Sequence, residues 1–310
     1  MWFSNKKVLI IGATGKIAEA VIRLFRNDSR FNLKLLSGSI DDHYSRINGL
    51  LYYKINYTNR YNLIDVCNDF KPDVIINLAA MTDVDGCEDN RKLAWDLNVS
   101  LPSDLAKISS ELGCKLIHIS TDYIFDGVNG PYGEHDICKP LSYYGLTKLT
   151  GETESLRWHR DIAIIRTNVV YGYSELGKGD FVSWVIDKIK NGIPLKIVND
   201  QYSNPTLTDD IAIAILKIIE RDIFGILNVG GSQYCNRFEF ANMICDVFEL
   251  DSSLLSPTIT ATLNQKANRP LRGGLDIRKL NGMGCNTRNI LDGLNVLKGY
   301  IDGTYIHTNS

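Results

Sequence analysis

The sequence predicts an α/β protein built on a doubly wound parallel sheet, with a smaller C-terminal lobe. Three observations predict it: short apolar runs alternate with segments of helical spacing, a glycine-rich turn follows the first run, and the alternation loosens after about Tyr171. Apolar strands alternating with helices imply a parallel sheet covered on both faces. Right-handed crossovers then give a Rossmann-type, doubly wound arrangement.

The elements follow in order. Val8 to Ile11 is a short β-branched run, and Lys16 to Arg26 carries Ile17, Val21, Leu24 and Phe25 at helical spacing. Leu33 to Leu36 and Leu51 to Ile55 read as strands, Tyr61 to Phe70 as a helix, and Asp73 to Leu78 as an apolar strand after Pro72. A long helix from Leu93 to Leu112, a strand from Lys115 to Ile119, a helix from Ser142 to Trp158 and a strand from Ile162 to Ile165 complete the regular part. Beyond Tyr171 the spacing predicts helices over Phe181 to Lys190, Asp209 to Glu220 and Arg237 to Phe248, with strands at Leu195 to Val198 and Gly225 to Val229. From Asp251 onward the chain is polar, with proline and glycine turns and little periodicity.

Composition narrows the function classes. Of 310 residues, 44% are hydrophobic and 23% charged, and the net charge is −2, so no basic surplus points to nucleic acid or an anionic membrane. The N-terminal run VLII is too brief for a signal sequence and ends in a glycine turn, and no stretch of about 18 apolar residues predicts a membrane span. Seven scattered cysteines without a CxxC or zinc-like spacing read as reduced and mostly structural, as in a cytosolic (cytoplasmic) protein.

In GATGKIA, Gly12 and Gly15 stand three apart, with Ala18 where a third glycine often occurs. Glycines let the backbone approach a pyrophosphate, and the helix that follows directs its amides and positive dipole end at it. Preceded by a strand and followed by an amphipathic helix, the turn predicts a dinucleotide site. The second strand ends Leu36-Ser37-Gly38-Ser39, with no acid until Asp41 and Asp42. An acid there would bind the ribose hydroxyls of NAD, so small hydroxyls favour NADP slightly over NAD, with Ser37 facing the ribose. Residues 1–170 are then the dinucleotide-binding domain, and 171–310 mainly a substrate-binding lobe interleaved with it.

Tyr144 and Lys148 stand four apart in SYYGLTKLTGE. Reducing a ketone needs a proton donor at oxygen as hydride reaches carbon, and a free phenol, pKa about 10, is a poor donor near neutrality. Lowering that pKa by about three units takes roughly 4 kcal/mol, about what one ammonium at ~4 Å supplies at an effective dielectric near 20. A lysine on the same helix face, at i+4, is placed to do this.

The blocks PDVIINLAAMTDVDGCE, LNVSLPSDLA, HISTDYIFDG, PYGEHDICKPLSYYGLTKLTGE and IIRTNVVYG occur in that order. Together they resemble the extended short-chain dehydrogenase/reductase superfamily, and within it the dTDP-4-dehydrorhamnose reductases. The resemblance continues through VNDQYSNPTLTDDIA, GILNVGG and NRPLRGGLDIRKL, covering about residues 7 to 280. It implies NAD(P)H-dependent reduction of the 4-keto group of a nucleotide-linked 4-keto-6-deoxy sugar, in deoxysugar biosynthesis. Thr121 would hydrogen-bond the substrate carbonyl, Tyr144 would donate the proton, and Lys148 would bind the nicotinamide ribose and tune the phenol. Gly12, Thr14, Gly15, Lys16 and Ile17 would surround the pyrophosphate, with Ser37, Asn56 and Tyr57 toward the adenosine end. Ala79, Ala80 and Thr82 would line the cofactor, and Asn98 would orient the backbone. Asp122, Tyr123, Asn168, Val169 and Asn204 are the implied sugar contacts. Asn56 stands where the family often has aspartate, and Val169 where it commonly has tryptophan. Homodimerisation is common in the family; no metal ligands are matched.

The same residues have plainer readings. Thr121 and Asp122 would also serve as loop caps, His118 as a core histidine, and His135 and His159 as surface residues. Asp83, Asp85, Glu88 and Asp89 read as a solvated, helix-capping loop rather than a metal site. Tyr143 lacks a lysine at +4. Two rivals to the reductase stay open: an epimerase or dehydratase, which the STDYIFDG block disfavours, and a non-catalytic subunit, since the regulatory subunit of methionine adenosyltransferase resembles this group.

Overall fold

The structure, a computed structural model, describes residues 5–40 and 42–304, and counts and absences below are of these residues. The chain opens with strand β1 (Lys6–Ile11), helix α1 (Lys16–Phe25), β2 (Phe31–Ser37), β3 (Tyr44–Ile47), β4 (Leu50–Lys54), α2 (Arg60–Phe70) and β5 (Val74–Asn77). Helices α3 (Val84–Asp89), α4 (Arg91–Trp95) and α5 (Leu101–Leu112) lead to β6 (Lys115–Thr121), α6 (Tyr143–Trp158) and β7 (Ile162–Thr167). One eight-stranded sheet, order β12-β7-β6-β5-β1-β2-β4-β3, takes these strands and a later one, β12, at residues 225–228. Every pairing in it is parallel except β3 against β4.

Strand alternation decides which side chain enters which core. Val8 and Ile10 pack with Val21 and Phe25 of α1 on one face; Leu9 and Ile11 pack with Leu63 of α2 and Leu105 of α5 on the other. Because β5 and β2 flank β1 on either side, the order of strands reverses at β1, and ligands of such sheets bind outside the carboxyl ends near that point.

The expected helix from Leu93 to Leu112 runs through a change of pitch. Residues Asp96–Ser100 form a π turn between α4 and α5, closed by the Leu101 N–H donating to the Asp96 carbonyl. Pro102 explains it: it has no N–H for the Asn98 carbonyl, and its ring would press on that oxygen in a regular helix.

The rest of the chain comprises β8 (Val170–Tyr171), α7 (Phe181–Lys190), β9 (Leu195–Val198), β10 (Tyr202–Ser203), β11 (Thr206–Leu207), α8 (Thr208–Glu220) and β12 (Gly225–Asn228). β13 (Cys235–Asn236), α9 (Arg237–Phe248), β14 (Leu255–Thr258), α10 (Arg278–Gly282) and α11 (Ile290–Ile301) follow. Helix α8 covers the sheet beside α1, whereas α7, α9 and α11 enclose a separate core around Val185, Phe240, Ile244 and Leu294. The two parts are latched together at α1. The buried Glu19 carboxylate accepts from Ser174 Oγ and from the Glu175 N–H, both at 2.6 Å. No helix of the described residues is long and apolar enough to cross a membrane. All seven cysteines are free thiols, six of them buried.

Candidate active site

Beyond the carboxyl ends of β1, β2 and β5 lies a groove of about 1050 Å³. Gly12, Thr14, Gly15, Lys16, Asn56, Tyr57, Ala79, Ala80 and Thr82 line it, as do Ser39, His43 and Lys54. Gly12 has φ +80, and a Cβ there would come within 2.6 Å of the Ala79 nitrogen. That close approach of two backbones, in a conformation L side chains rarely adopt, requires glycine. Gly15 begins α1 without any side-chain cap, which leaves the leading amides and positive end of the helix to the groove. These features fit a dinucleotide's pyrophosphate. Tyr57 Oη accepts from the Gly12 and Gly38 amides at 3.1 and 2.9 Å, bracing the turn, and burial pushes its phenol up to about 12. Asn56 Oδ1 accepts from the Thr58 amide and hydroxyl at 3.0 and 2.8 Å, shaping the floor of the groove.

One expectation is corrected here. Ser37 does not face the groove: it is 1% exposed, and its Oγ lies 2.8 Å from Thr14 Oγ1 and 3.1 Å from Ser39 Oγ. The strand ends at Ser37, and Ser39, beyond it, stands at the lining instead. Lys16 lines the groove, but its ammonium donates to Asp180 Oδ2 at 2.6 Å and to the Gly172 carbonyl at 3.0 Å. Its charge ties α1 to the start of α7. Asp41 lies outside the described residues.

A second cavity, about 510 Å³, adjoins the groove and shares Gly15, Lys16, Ala80 and Thr82 with it. Ile17, Thr121, Asp122, Tyr123, Tyr144, Asn168 and Val169 line it. Thr121 ends β6, and Tyr144 sits in the first turn of α6, which Ser142 caps by accepting from the Gly145 amide. A Cβ on Gly145 would meet the Tyr123 carbonyl at 2.2 Å, so this glycine lets α6 approach the end of β6. Tyr144 is 8% exposed, and its ring meets that of Tyr123 edge-on at 5.6 Å. Burial raises its phenol well above the usual range, and the neighbouring Thr121 hydroxyl acts in the opposite direction. The expected tuning by lysine is absent in this state. Lys148 is 2% exposed, and its Nζ donates to the Ile119 carbonyl at 2.6 Å. Burial draws its pKa down to about 8, opposed by the Glu152 carboxylate one turn further on.

Asn98 projects from the π turn. Its Oδ1 accepts from the Met81 amide at 2.9 Å, and its Nδ2 donates to the Met81 carbonyl at 3.0 Å and to Thr147 Oγ1 at 3.1 Å. It thereby joins the groove-lining segment to α6. His118 is a core residue, 0% exposed with Nδ1 3.1 Å from Asn77 Nδ2; burial and the Lys148 charge hold it well below its ordinary value. His135 is exposed, but His159 is 7% exposed with Nε2 3.0 Å from the Cys114 carbonyl, so it belongs to the interior and not the surface.

Asn168 reaches the cavity and holds it together, donating to Asp122 Oδ2 at 3.2 Å and to Asn204 Oδ1 at 2.7 Å. Asn204 stands behind it, off the cavity: its Nδ2 donates to the Gly231 and Leu275 carbonyls, which consumes the amide within the scaffold. Val169 has φ +40, a left-handed conformation that is a genuine outlier for a β-branched residue. Such strain collects where a wall is over-determined by its surroundings. The acidic residues expected in a solvated loop instead belong to α3 and its flanks. Asp83 caps the helix, Asp85 pairs with Arg269 at 2.9 Å, Glu88 accepts from the Tyr143 amide at 2.8 Å, and Asp89 pairs with Lys266.

Arg237 escaped the sequence reading. It lines the cavity from the first position of α9, 5.0 Å from the centre of the Phe181 ring, in the field of Tyr123 and Asp122. No local motif marks it, because its distance from residue 122 in sequence is closed only by the tertiary fold. Three residues that line the cavity also carry a buried side-chain oxygen without a hydrogen-bond partner: Ser120 Oγ, Asp122 Oδ1 and Thr167 Oγ1. Each such atom costs on the order of 1–3 kcal/mol. A cluster of them at one cavity signals a polar ligand.

Known proteins are similar to this chain in sequence and in fold. A probable low-salt glycan biosynthesis reductase, Agl14, of Haloferax volcanii is 30% identical over 93% of this chain and 96% of its own. The methionine adenosyltransferase 2 subunit beta of Xenopus laevis is 34% identical over 92% of this chain and 84% of its own. The solved dTDP-4-dehydrorhamnose reductase of Bacillus anthracis, in complex with NADP, superposes with a TM-score of 0.86 at 26% identity, over 96% of this chain and 100% of its own. That of Clostridium acetobutylicum gives 0.85 at 28%, over 96% and 99%. The family described as the RmlD substrate binding domain matches residues 6–295, and the chain therefore belongs to that family, within the extended short-chain dehydrogenases/reductases.

Proposed function

We propose that the chain reduces the 4-keto group of a nucleotide-linked 4-keto-6-deoxy sugar at the expense of NAD(P)H. The observation that carries this reading is Thr121 and Tyr144 lining one cavity that is continuous with a groove shaped for a dinucleotide. When bound, the reduced nicotinamide supplies the hydride. Thr121 holds the carbonyl oxygen and Tyr144 protonates it. The burial that raises Tyr144 keeps its proton in place until that oxygen gains charge. Lys148, on the same helix face, is placed to hold the nicotinamide ribose. Asp122, Tyr123, Val169 and Arg237 surround the sugar and its phosphates, with residues 1–170 supplying most of both sites and Gly179, Asp180, Phe181 and Arg237 completing the second.

NADP is the preferred cofactor in this reading. None of the described residues lining the groove is acidic, whereas Ser39, His43 and Lys54 lie at its adenosine end. Ser39→Asp is expected to lower the NADP/NAD affinity ratio at least tenfold, measured by calorimetric titration of each dinucleotide. An unchanged ratio removes Ser39 from the ribose site.

The similarity to the beta subunit of methionine adenosyltransferase 2 supports a second reading, a regulatory subunit. Incubating the purified chain with NADPH or NADH and a panel of 4-keto nucleotide sugars separates the two. Loss of reduced-nicotinamide absorbance with one of them is expected; no oxidation with any favours the subunit.

A further inference from the structure

We propose that Thr167 reads a substrate hydroxyl on the carbon next to the reacting carbonyl, paired there with Asp122; this rests on the sugar-ketone reading above. Thr167 ends β7 as Thr121 ends β6, and the two are register partners in adjacent parallel strands. Neighbouring parallel strands lie about 4.8 Å apart and send register partners out on the same face. A carbonyl held by Thr121 therefore has its ring neighbours within reach of Thr167. Thr167 is 4% exposed and Asp122 2% exposed, both line the cavity, and Thr167 Oγ1 and Asp122 Oδ1 have no partner within the chain. The other Asp122 oxygen is engaged, accepting from the Gly274 amide at 2.9 Å and from Asn168 Nδ2 at 3.2 Å. The carboxylate is thus fixed in orientation with one acceptor left over.

The two orphans specify the ligand's chemistry. A carboxylate oxygen only accepts, whereas a threonine hydroxyl donates or accepts. A single hydroxyl that donates to Asp122 and accepts from Thr167 satisfies both; a methyl, a ring carbon or a second ketone does not. Buried groups built to pair with a hydroxyl discriminate strongly against the analogue that lacks it. The cavity should therefore accept sugars hydroxylated beside the ketone and reject their deoxy counterparts by a hundredfold or more in kcat/KM.

Thr167→Val gives the test, because valine keeps the shape and removes only the hydroxyl. A hydroxyl that serves folding and one that serves a ligand then give opposite signs. Thermal unfolding of the ligand-free variant is expected to show a Tm equal to or above that of the parent, since an unpaired buried oxygen has gone. Calorimetry with dTDP-glucose and UDP-glucose as probes should show the better-bound probe weakened at least tenfold, with NADPH affinity within twofold. Equal sugar affinity in parent and variant overturns the inference alone, as does a loss confined to NADPH. A Tm several degrees lower with both affinities reduced assigns Thr167 to the scaffold and overturns it too. A parent chain that binds neither nucleotide sugar overturns the reductase reading itself, and this inference with it.

Discussion

Replacing Tyr144 by phenylalanine should lower kcat by about 10²–10⁴-fold, the usual contribution of a positioned general acid, while NADPH binding stays within twofold of the parent. The ring fills the same volume and keeps its edge-on contact with Tyr123, so only the proton is lost. Tyr143 supplies the control. It precedes Tyr144 in α6 but does not line the cavity, and the Arg91 guanidinium packs over its ring at 4.8 Å. Tyr143→Phe should leave kcat unchanged. Stopped-flow measurement of reduced-nicotinamide loss decides between them, and equal turnover in both variants would exclude Tyr144 as the acid.

This prediction survives a failure of the argument that first singled the residue out. Helical spacing placed Lys148 on the face of Tyr144, and the face is right. The direction of the ammonium is a different matter, because a lysine has four torsions and takes the nearest acceptor. Here that acceptor is the Ile119 carbonyl at the end of β6. A phenol lowered by lysine was therefore expected, and a phenol raised by burial is found. Periodicity reports which residues share a face, whereas the charge felt by one of them depends on side-chain rotamers and tertiary packing.

The same division runs through the fold. Strands β1, β5, β6 and β7 were legible because both their faces are buried, giving apolar runs that only His118 of β6 interrupts. Helices α7 and α9 were legible to the residue, helped by Asp180 and Asn236, which form capping boxes with Ser183 and Glu239. Two elements were passed over although signals for them existed. Strand β3, which pairs with the expected strand at Leu51, turns into it at Asn48-Gly49, both at positive φ, a strong hairpin dipeptide. Helix α11 was masked by Gly293 and Gly299, poor helix formers. Gly293 is there for packing: a Cβ would come within 2.1 Å of Tyr171 Oη. Arg237 and Thr167 had no sequence signature at all, since each acquires its role only by facing Asp122 or Thr121 from another part of the chain.

The largest expected effect on stability lies beneath the site, at Glu152→Gln. Glu152 and Arg166 are 2% and 3% exposed and joined by three contacts of 3.0, 3.2 and 2.7 Å between α6 and β7. Removing one partner of a buried pair leaves the other charge uncompensated, at a cost of about 3–5 kcal/mol. Glutamine keeps the volume, so the loss should appear as a lower urea midpoint with an unchanged m value. Replacing both residues together, Glu152→Leu with Arg166→Met, should recover most of that loss, because two desolvated charges disappear along with their attraction. The single variant also acts on chemistry. Glu152 opposes the burial that draws Lys148 down to about 8, so removing its charge lowers that pKa further. A group with a lower pKa loses its proton at lower pH, and the alkaline limb of the kcat profile should move toward neutrality in Glu152→Gln. A lower urea midpoint with an unmoved limb would separate the two roles, leaving Glu152 a partner of Arg166 and nothing to Lys148.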